Sequence, residues 1–243
     1  MASNDLQRLV DYLALRDRLS DDERQTITEL PHEMRTVRRN DLLVVDRASP
    51  KVSCILTRGF AARAVYLENG SRQITAIHVP GDFVDLHAFL LKIMDHSVVA
   101  LTDCEAAFVP DDQLVMITEQ KPHLARLLWM STVIDAAIHR AWLSCIGRRS
   151  PAQHVAHLLC ELYVRLNSIG LASDDAFDFP VTQSDLADML GLSVVHVNKT
   201  LGQMRATGMF TWNGSRVEIL DFARLADYAD FDPVYLSLVR IPR

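Results

Sequence analysis

Val195, Lys199 and Gly202 recur at steps of four and three, which on a helix turning about 100° per residue sets them along one face. Val197, Leu201 and Met204 stack on the opposite side and form the stripe a core would take. The outward set is suited to contact, not to bond-making. A valine can meet a thymine methyl, a lysine donates to guanine O6 and N7 or to phosphate, and a glycine lets backbones approach closely. His196 and Gln203 flank this face, and Val194 lies near the core edge. The plainer reading is an ordinary surface helix. Against it stand the β-branched residues Val194, Val195, Val197 and Thr200, poor choices for a helix that is merely solvated.

Residue types that carry covalent or metal chemistry are scattered. Cys54, Cys104, Cys145 and Cys160 are far apart, with no C-x-x-C pair, so each is expected as a reduced apolar filler and no metal cluster is expected. His78, His87 and His96 recur evenly, but even spacing in a barrel says little about convergence, and core or surface histidines are the expected outcome. A cupin-like metal-dependent enzyme is the alternative from another class. It lacks the His-x-His pair with a following Glu, and no Ser/His/Asp or nucleotide-loop motif occurs. The chain is therefore read as a non-enzyme with no identified cofactor and no metal.

The face described above needs a scaffold, and Thr182 to Val217 supplies one. Thr182-Gln183-Ser184-Asp185 is a capping sequence at a helix start, after which Leu186, Met189 and Leu190 share a face. Gly191 can end that helix in the left-handed conformation, and Ser193 can cap the next. An Asn213-Gly214 turn then marks a hairpin. Two short helices and a wing present a helix to a DNA major groove. Between Asp188 and Glu218 there is no acidic residue, while Lys199, Arg205 and Arg216 are present, a local cationic stripe.

Upstream, short apolar runs from Leu42 to Val109 are separated by Ser49-Pro50, Asn69-Gly70 and Pro80-Gly81-Asp82, which reads as an antiparallel β-barrel. Asn69-Gly70 is expected as a type I′ turn. Asn4 to Leu15 and Ser20 to Leu30 are expected as helices, Ser20 capping the second. Pro122 opens a long helix to about Cys145 that is apolar nearly all round. One side is expected on the barrel, and Leu127, Met130, Ile134, Ile138, Ala141 and Cys145 on a partner helix in a homodimer. Burial of the helix between two domains of one chain is the other possibility. Gly147 to Pro151 reads as a hinge, where Arg148 and Arg149 would touch phosphate or solvent. The next helix, Ala152 to Ile169, buries Val155, Leu158, Leu159 and Leu162.

At 243 residues the chain is long enough for two cores. A net charge of -6 argues against coating nucleic acid nonspecifically, though not against sequence-specific binding by one domain. No run of about 18 apolar residues occurs and the first residues are polar, so neither a membrane span nor a signal peptide is expected and the location is cytoplasmic.

The order of barrel, Pro80-Gly81-Asp82-Phe83 turn, long helix and winged helix-turn-helix resembles the Crp/Fnr family of bacterial regulators over nearly the whole chain. The most specific matches are Gly81-Asp82-Phe83 and the run from Thr182 to Ser193 with the helix after it. The resemblance implies an α+β fold, with a cyclic-nucleotide-binding-like double-stranded β-helix at 1–121, a dimerisation helix at 122–147 and a winged helix-turn-helix at 148–243. It implies a homodimer on a pseudo-palindromic double-stranded operator, with RNA polymerase as a further partner. DNA contacts are expected from Thr182, Gln183, Ser184, Ser193, Val194, Val195, His196, Asn198, Lys199, Gln203 and Arg216. An effector pocket would involve Gly81, Asp82, Phe83, Asp85, His96 and Ser97. Where cyclic-AMP-binding members carry a Glu and an Arg-Ser pair, this chain has Asp85-Leu86 and His96-Ser97. Losing the bidentate Arg removes the strongest charge-assisted contact to a cyclic phosphate, so cyclic AMP is not the expected effector. The barrel then senses an unidentified signal or serves as an effector-independent scaffold.

Overall fold

The computed structural model describes residues 5–242. They form two compact units. The first runs to Val65 and adds Ile77–Ala136 and the segment from Ser237, and the second comprises Tyr66–Ala76 and Ala137–Leu236.

The first unit opens with helices α1 (Gln7–Ala14) and α2 (Asp21–Thr28); Asn4, expected to start the first of them, lies outside the described residues. Ser20 caps α2 as its sequence suggests: its hydroxyl accepts from the Glu23 amide, and the Glu23 carboxylate accepts from the Ser20 amide. Strands β1 (Glu33–Val37), β2 (Leu42–Val44), β3 (Val52–Arg58), β4 (Ala61–Tyr66) and β5 (Arg72–His78) follow, the hairpin segment Tyr66–Ala76 being counted with the second unit. After the short helix α3 (Ala88–Leu91) come β6 (Ser97–Ala100) and β7 (Cys104–Pro110), then α4 (Asp111–Gln120). The strands make two antiparallel sheets, ordered β1-β7-β3 and β2-β6-β4-β5. Between the sheets lies one apolar core, with Leu43, Val44, Cys54, Leu56, Ala61, Val98, Ala106 and Phe108 among its members. A second core joins Leu9, Leu13 and Ile27 to Ile55, Leu114, Leu124 and Leu127. All four cysteines are free and buried.

Two turns depart from expectation. Around Asn69-Gly70 only Gly70 takes positive φ, at 83°. Gly70 N donates to Leu67 O, and Leu67 N donates to Ser71 O. The loop is thus three residues long, a tight turn ended by a left-handed glycine, in place of the type I′ turn. In the wing, Asn213 pairs with Arg216, so the central residues are Gly214 and Ser215, one position later than Asn213-Gly214. Glycine at the first of them, with φ 59°, satisfies the only position in that turn needing positive φ.

Helix α5 spans Pro122–Arg148, and its faces correct the sequence reading. Leu127, Ile134, Ile138 and Cys145, expected against a partner, are buried within the chain itself, and Met130 and Ala141 are half-buried. Trp129 (71% exposed), Val133 and Leu143 (70%) face outward instead. Together with Ala136 and Arg140 they step by four and three, the spacing of a coiled-coil seam. A helix that is apolar nearly all round gives its sequence no means of marking which stripe its own chain covers.

The second unit continues with α6 (Pro151–Ser168), capped by Ser150, whose hydroxyl accepts from Gln153 N. Val155, Leu158, Leu159 and Leu162 are buried along it. Strand β8 (Ala176–Asp178) joins β10 (Arg216–Ile219) and β9 (Phe210–Asn213) in one sheet, ordered β8-β10-β9. Helix α9 (Phe222–Ala229) and a 3-10 turn at Pro233–Leu236 complete the unit. Arg149 is neither solvated nor aimed at phosphate. It donates to the Asp230 carbonyl and the Cys145 thiol, clasping segments of its own unit. No helix among the described residues is long and apolar enough to cross a membrane.

His123, near the start of α5, bridges two carboxylates, Nδ1 lying 2.7 Å from Glu23 and Nε2 3.2 Å from Asp17. Burial opposes the charged ring, but the hydrogen bonds to Glu23 and Asp17 outweigh it and raise its pKa. Burial likewise opposes ionised Glu23, yet the Ser20 amide and His123 hold its pKa below the ordinary value. The ring's contribution is complete below its unfolded pKa and fades as pH rises through the raised folded one; that of Glu23 fades as pH falls through its lowered value. Between about pH 6 and about pH 9 the unit should lose roughly 1 kcal/mol or less. Thermal melts should show this slope, and it should vanish in His123→Gln.

Candidate nucleic-acid interface

Thr182 and Asp185 cap each other at the start of α7 (Gln183–Leu190): Asp185 N donates to the Thr182 hydroxyl, while the Asp185 carboxylate accepts from Thr182 N and Oγ1. Gly191, with φ 66°, ends α7, its amide donating to Ala187 O. The amide of Leu192 reaches the same carbonyl. Two residues on, the Ser193 hydroxyl accepts from His196 N and starts α8 (Val194–Arg205). The bend between the helices is thus made by one left-handed glycine and one serine cap.

The inward face of α8 carries Val197, Thr200, Leu201 and Met204, all buried. Every α8 residue expected at DNA is exposed: Val194, Val195, His196, Asn198, Lys199 and Gln203. Val195 is 79% exposed, far from what a β-branched apolar side chain finds in a solvated helix by preference. A Cβ added to Gly202 would meet nothing within 4 Å. The fold therefore does not demand this glycine, although in a helix interior it costs about 1 kcal/mol relative to alanine. Thr182, Gln183 and Ser184 are exposed at the first turn of α7, Ser193 at the cap of α8, and Arg216 at the base of the wing.

Charge around this surface is arranged by a residue that sequence reasoning missed. Arg72, in the Tyr66–Ala76 segment of this unit, donates from Nη2 to Asp185 and from Nε to Asp188, both at 2.7 Å. Burial works against ionised Asp185, and the bonds from Thr182 and Arg72 overcome it, lowering its pKa. The two carboxylates of α7 are therefore matched by a guanidinium, leaving Lys199, Arg205 and Arg216 as exposed cations. The only sequence signal would have been an arginine in a hairpin far upstream, which nothing in a linear pattern ties to α7.

The residues expected at an effector pocket are largely engaged in holding the first unit together. Asp85 is buried and accepts from Cys54 N at 2.6 Å; burial pushes its pKa up to about 7 against that amide bond. Asp82 accepts from Val79 N, and the Ser97 hydroxyl accepts from Asp46 N. Gly81 has φ 100°, and a Cβ there would lie 3.0 Å from the Arg8 carbonyl, so only glycine fits this turn beside α1. Phe83 packs half-buried against the helical core. His96 lies between Asp95, 2.7 Å from its Nδ1, and Arg63, whose Nε donates to its Nε2 at 3.1 Å. Nearby, Leu86, His87, Phe89, Leu114, Leu128 and Trp129 line an apolar cavity of about 280 Å3.

Comparison with known proteins settles the class. The model of the cyclic nucleotide-binding domain matches residues 34–121, and that of the Crp-like helix-turn-helix domain matches residues 153–228. The transcriptional activator protein FnrL of Cereibacter sphaeroides is 27% identical over 185 residues, 74% of this chain and 73% of that protein. The chain belongs to the Crp/Fnr family. Another relative, the transcriptional activator protein anr of Pseudomonas aeruginosa, is 22% identical over 212 residues, 87% of this chain and 86% of its own. The structure of FixK2 from Bradyrhizobium japonicum superposes with a TM-score of 0.73 at 22% identity, covering 82% of this chain and 98% of that one. This Crp/Fnr chain is accordingly a DNA-binding transcription regulator and not an enzyme. Its fold is α+β, with the barrel present as two facing sheets.

Since α8 is oriented by its buried stripe, truncating that stripe should cost far more than altering the outward face. Leu201→Ala should lose roughly 2–5 kcal/mol, and Val195→Ser should stay within about 0.5 kcal/mol of wild type. Denaturant unfolding of the two variants distinguishes them.

Proposed function

We propose that two copies of the chain associate along α5 and set their α8 helices into successive major grooves of a pseudo-palindromic operator. The observation that carries the reading is the outward face of α8, where exposed Val195 and Lys199 stand beside a glycine the fold does not require. Val195 meets a thymine methyl, Lys199 a guanine edge or a phosphate, and Asn198, His196 and Gln203 reach the flanks of the site. Gln183 and Ser184 at the start of α7, and Arg216 in the wing, meet the sugar-phosphate backbone and fix the register. We place the protein in the cytoplasm with its DNA, and RNA polymerase is the partner a regulator of this class would engage. The names of the two relatives, both transcriptional activators, support that partner.

The dimer reading rests on the seam of Trp129, Val133 and Leu143. Trp129→Glu with Leu143→Glu should convert dimers to monomers by light scattering, because each charge would be buried against its symmetry mate. Unchanged dimers would place the interface elsewhere.

For the readout, Lys199→Ala should weaken specific binding by roughly 1–3 kcal/mol if the lysine reads guanine. If it touches phosphate alone, binding to all sequences should fall alike and the salt slope should drop by about one. Val195→Ser should relax preference at one thymine and leave the salt slope as it was. Titrations across salt, on matched and singly substituted operators, measure all three. Wild-type binding by both folded variants would assign the groove to a different element.

A further inference from the structure

The first unit holds a group of side chains whose convergence DNA binding does not account for. His87, Asp95 and His96 each offer one ligand atom, and these atoms lie within 4.8 Å of one another. The two imidazole rings sit 5.1 Å apart between centroids. Even sequence spacing had given no reason to expect this convergence; His78, the third of the series, is not among the three and has Asp82 3.8 Å away.

We propose that His87, Asp95 and His96 bind a divalent transition-metal ion, Zn2+ being the best match to the donors. Two imidazoles and a carboxylate form a borderline N2O set, the kind that suits zinc, and three protein ligands leave a fourth position for water or an effector. Around a tetrahedral ion with bonds of about 2.0–2.1 Å, ligand atoms sit roughly 3.3 Å apart. Closing from 4.8 Å takes small side-chain rotations, and Asp95, which is largely exposed, has the freedom to make them and leaves the site a route to solvent.

Three further features fit this assignment. His87 Nε2 is buried with no hydrogen-bond partner, an unfavourable arrangement that a ligand would relieve. His96 is buried, and its Nδ1 lies 2.7 Å from a carboxylate oxygen of Asp95, so one ring nitrogen and the carboxylate already converge. Finally, Arg63 has somewhere to go. Its Nε donates to His96 Nε2, and its Nη2 donates to Asp135 of α5 at 2.8 Å. Coordination through Nδ1 would move the ring proton to Nε2, which then faces the N–H of Arg63; coordination through Nε2 would take the lone pair Arg63 now uses. In either case the guanidinium must leave the ring, and Asp135 can keep it. The ion would thus change the partners of a residue attached to α5, the helix given to dimerisation in the preceding section.

The test uses the full-length chain, stripped with chelator and titrated with Co2+ and then Zn2+. Expected is one equivalent of Co2+ per chain with the visible absorption of a tetrahedral N/O site, displaced by Zn2+. Asp95→Ala and His87→Gln should each weaken Zn2+ binding by about tenfold or more, whereas Arg63→Met should tighten it. Because Asp95 is exposed, Asp95→Ala keeps the fold, and Zn2+ should raise the thermal midpoint of wild type but not of this variant. The proposal is overturned if Co2+ yields no such spectrum, if Asp95→Ala and His87→Gln bind like wild type, or if Arg63→Met loses affinity, which would mark the cluster as a buried polar network only.

Discussion

A single stripe determines the functional surface. Val197, Leu201 and Met204 can be buried together in only one rotation of α8, and that rotation turns Val195, Lys199 and Gly202 outward. Burying side chains of this size is worth about 1.5–3 kcal/mol each, whereas the helix-propensity penalties of the exposed valines are at most about 0.7 kcal/mol apiece. Packing therefore decides the rotation, and local preference only taxes it. The Gly191 turn and the caps at Thr182 and Ser193 then set where α8 begins and how it leaves α7.

Electrostatics refines that surface. With a net charge of -6, a helix proposed to face a DNA groove needs its own neighbourhood freed of carboxylates, and this is met in two ways. No acidic residue lies between Asp188 and Glu218, and the two acids of α7 are bound by Arg72. Asp185 thus serves both the helix cap and the guanidinium. The charged residues exposed on α8 and at the wing turn, Lys199, Arg205 and Arg216, are positive, an arrangement suited to encounter with DNA while the overall charge limits indiscriminate coating.

The winged helix-turn-helix was almost fully legible in the linear chain because its determinants are local: caps, a left-handed glycine and two helical stripes read over a few turns. The sheets were legible as an architecture, through their turn signals, but not in detail. Gly70 and Gly214 mark their turns, yet the loop length around Gly70 and the offset at Gly214 depend on how the flanking strands pair. Features set by the folded arrangement and not by a local pattern were not legible. Arg72 meets Asp185 and Asp188 through the fold alone, and His87 meets His96 because α3 and β6 bring them together. In α5 the apolar pattern was visible but ambiguous, since Ile134 and Val133 are equally apolar and only packing buries one and exposes the other. Glycine and aspartate at positions 81, 82 and 85 resembled an effector cassette, and in this chain they chiefly brace the strands around them.

Val195 and Lys199, on paired α8 helices, are the proposed readers of DNA. Selection of bound sequences from random duplex DNA by the full-length protein tests this most directly. Enrichment of a pseudo-palindrome is expected, its half-sites about one helical turn apart and each with a guanine or a thymine at the positions these residues face. Enrichment of an asymmetric site, or no enrichment over the starting pool, would contradict it.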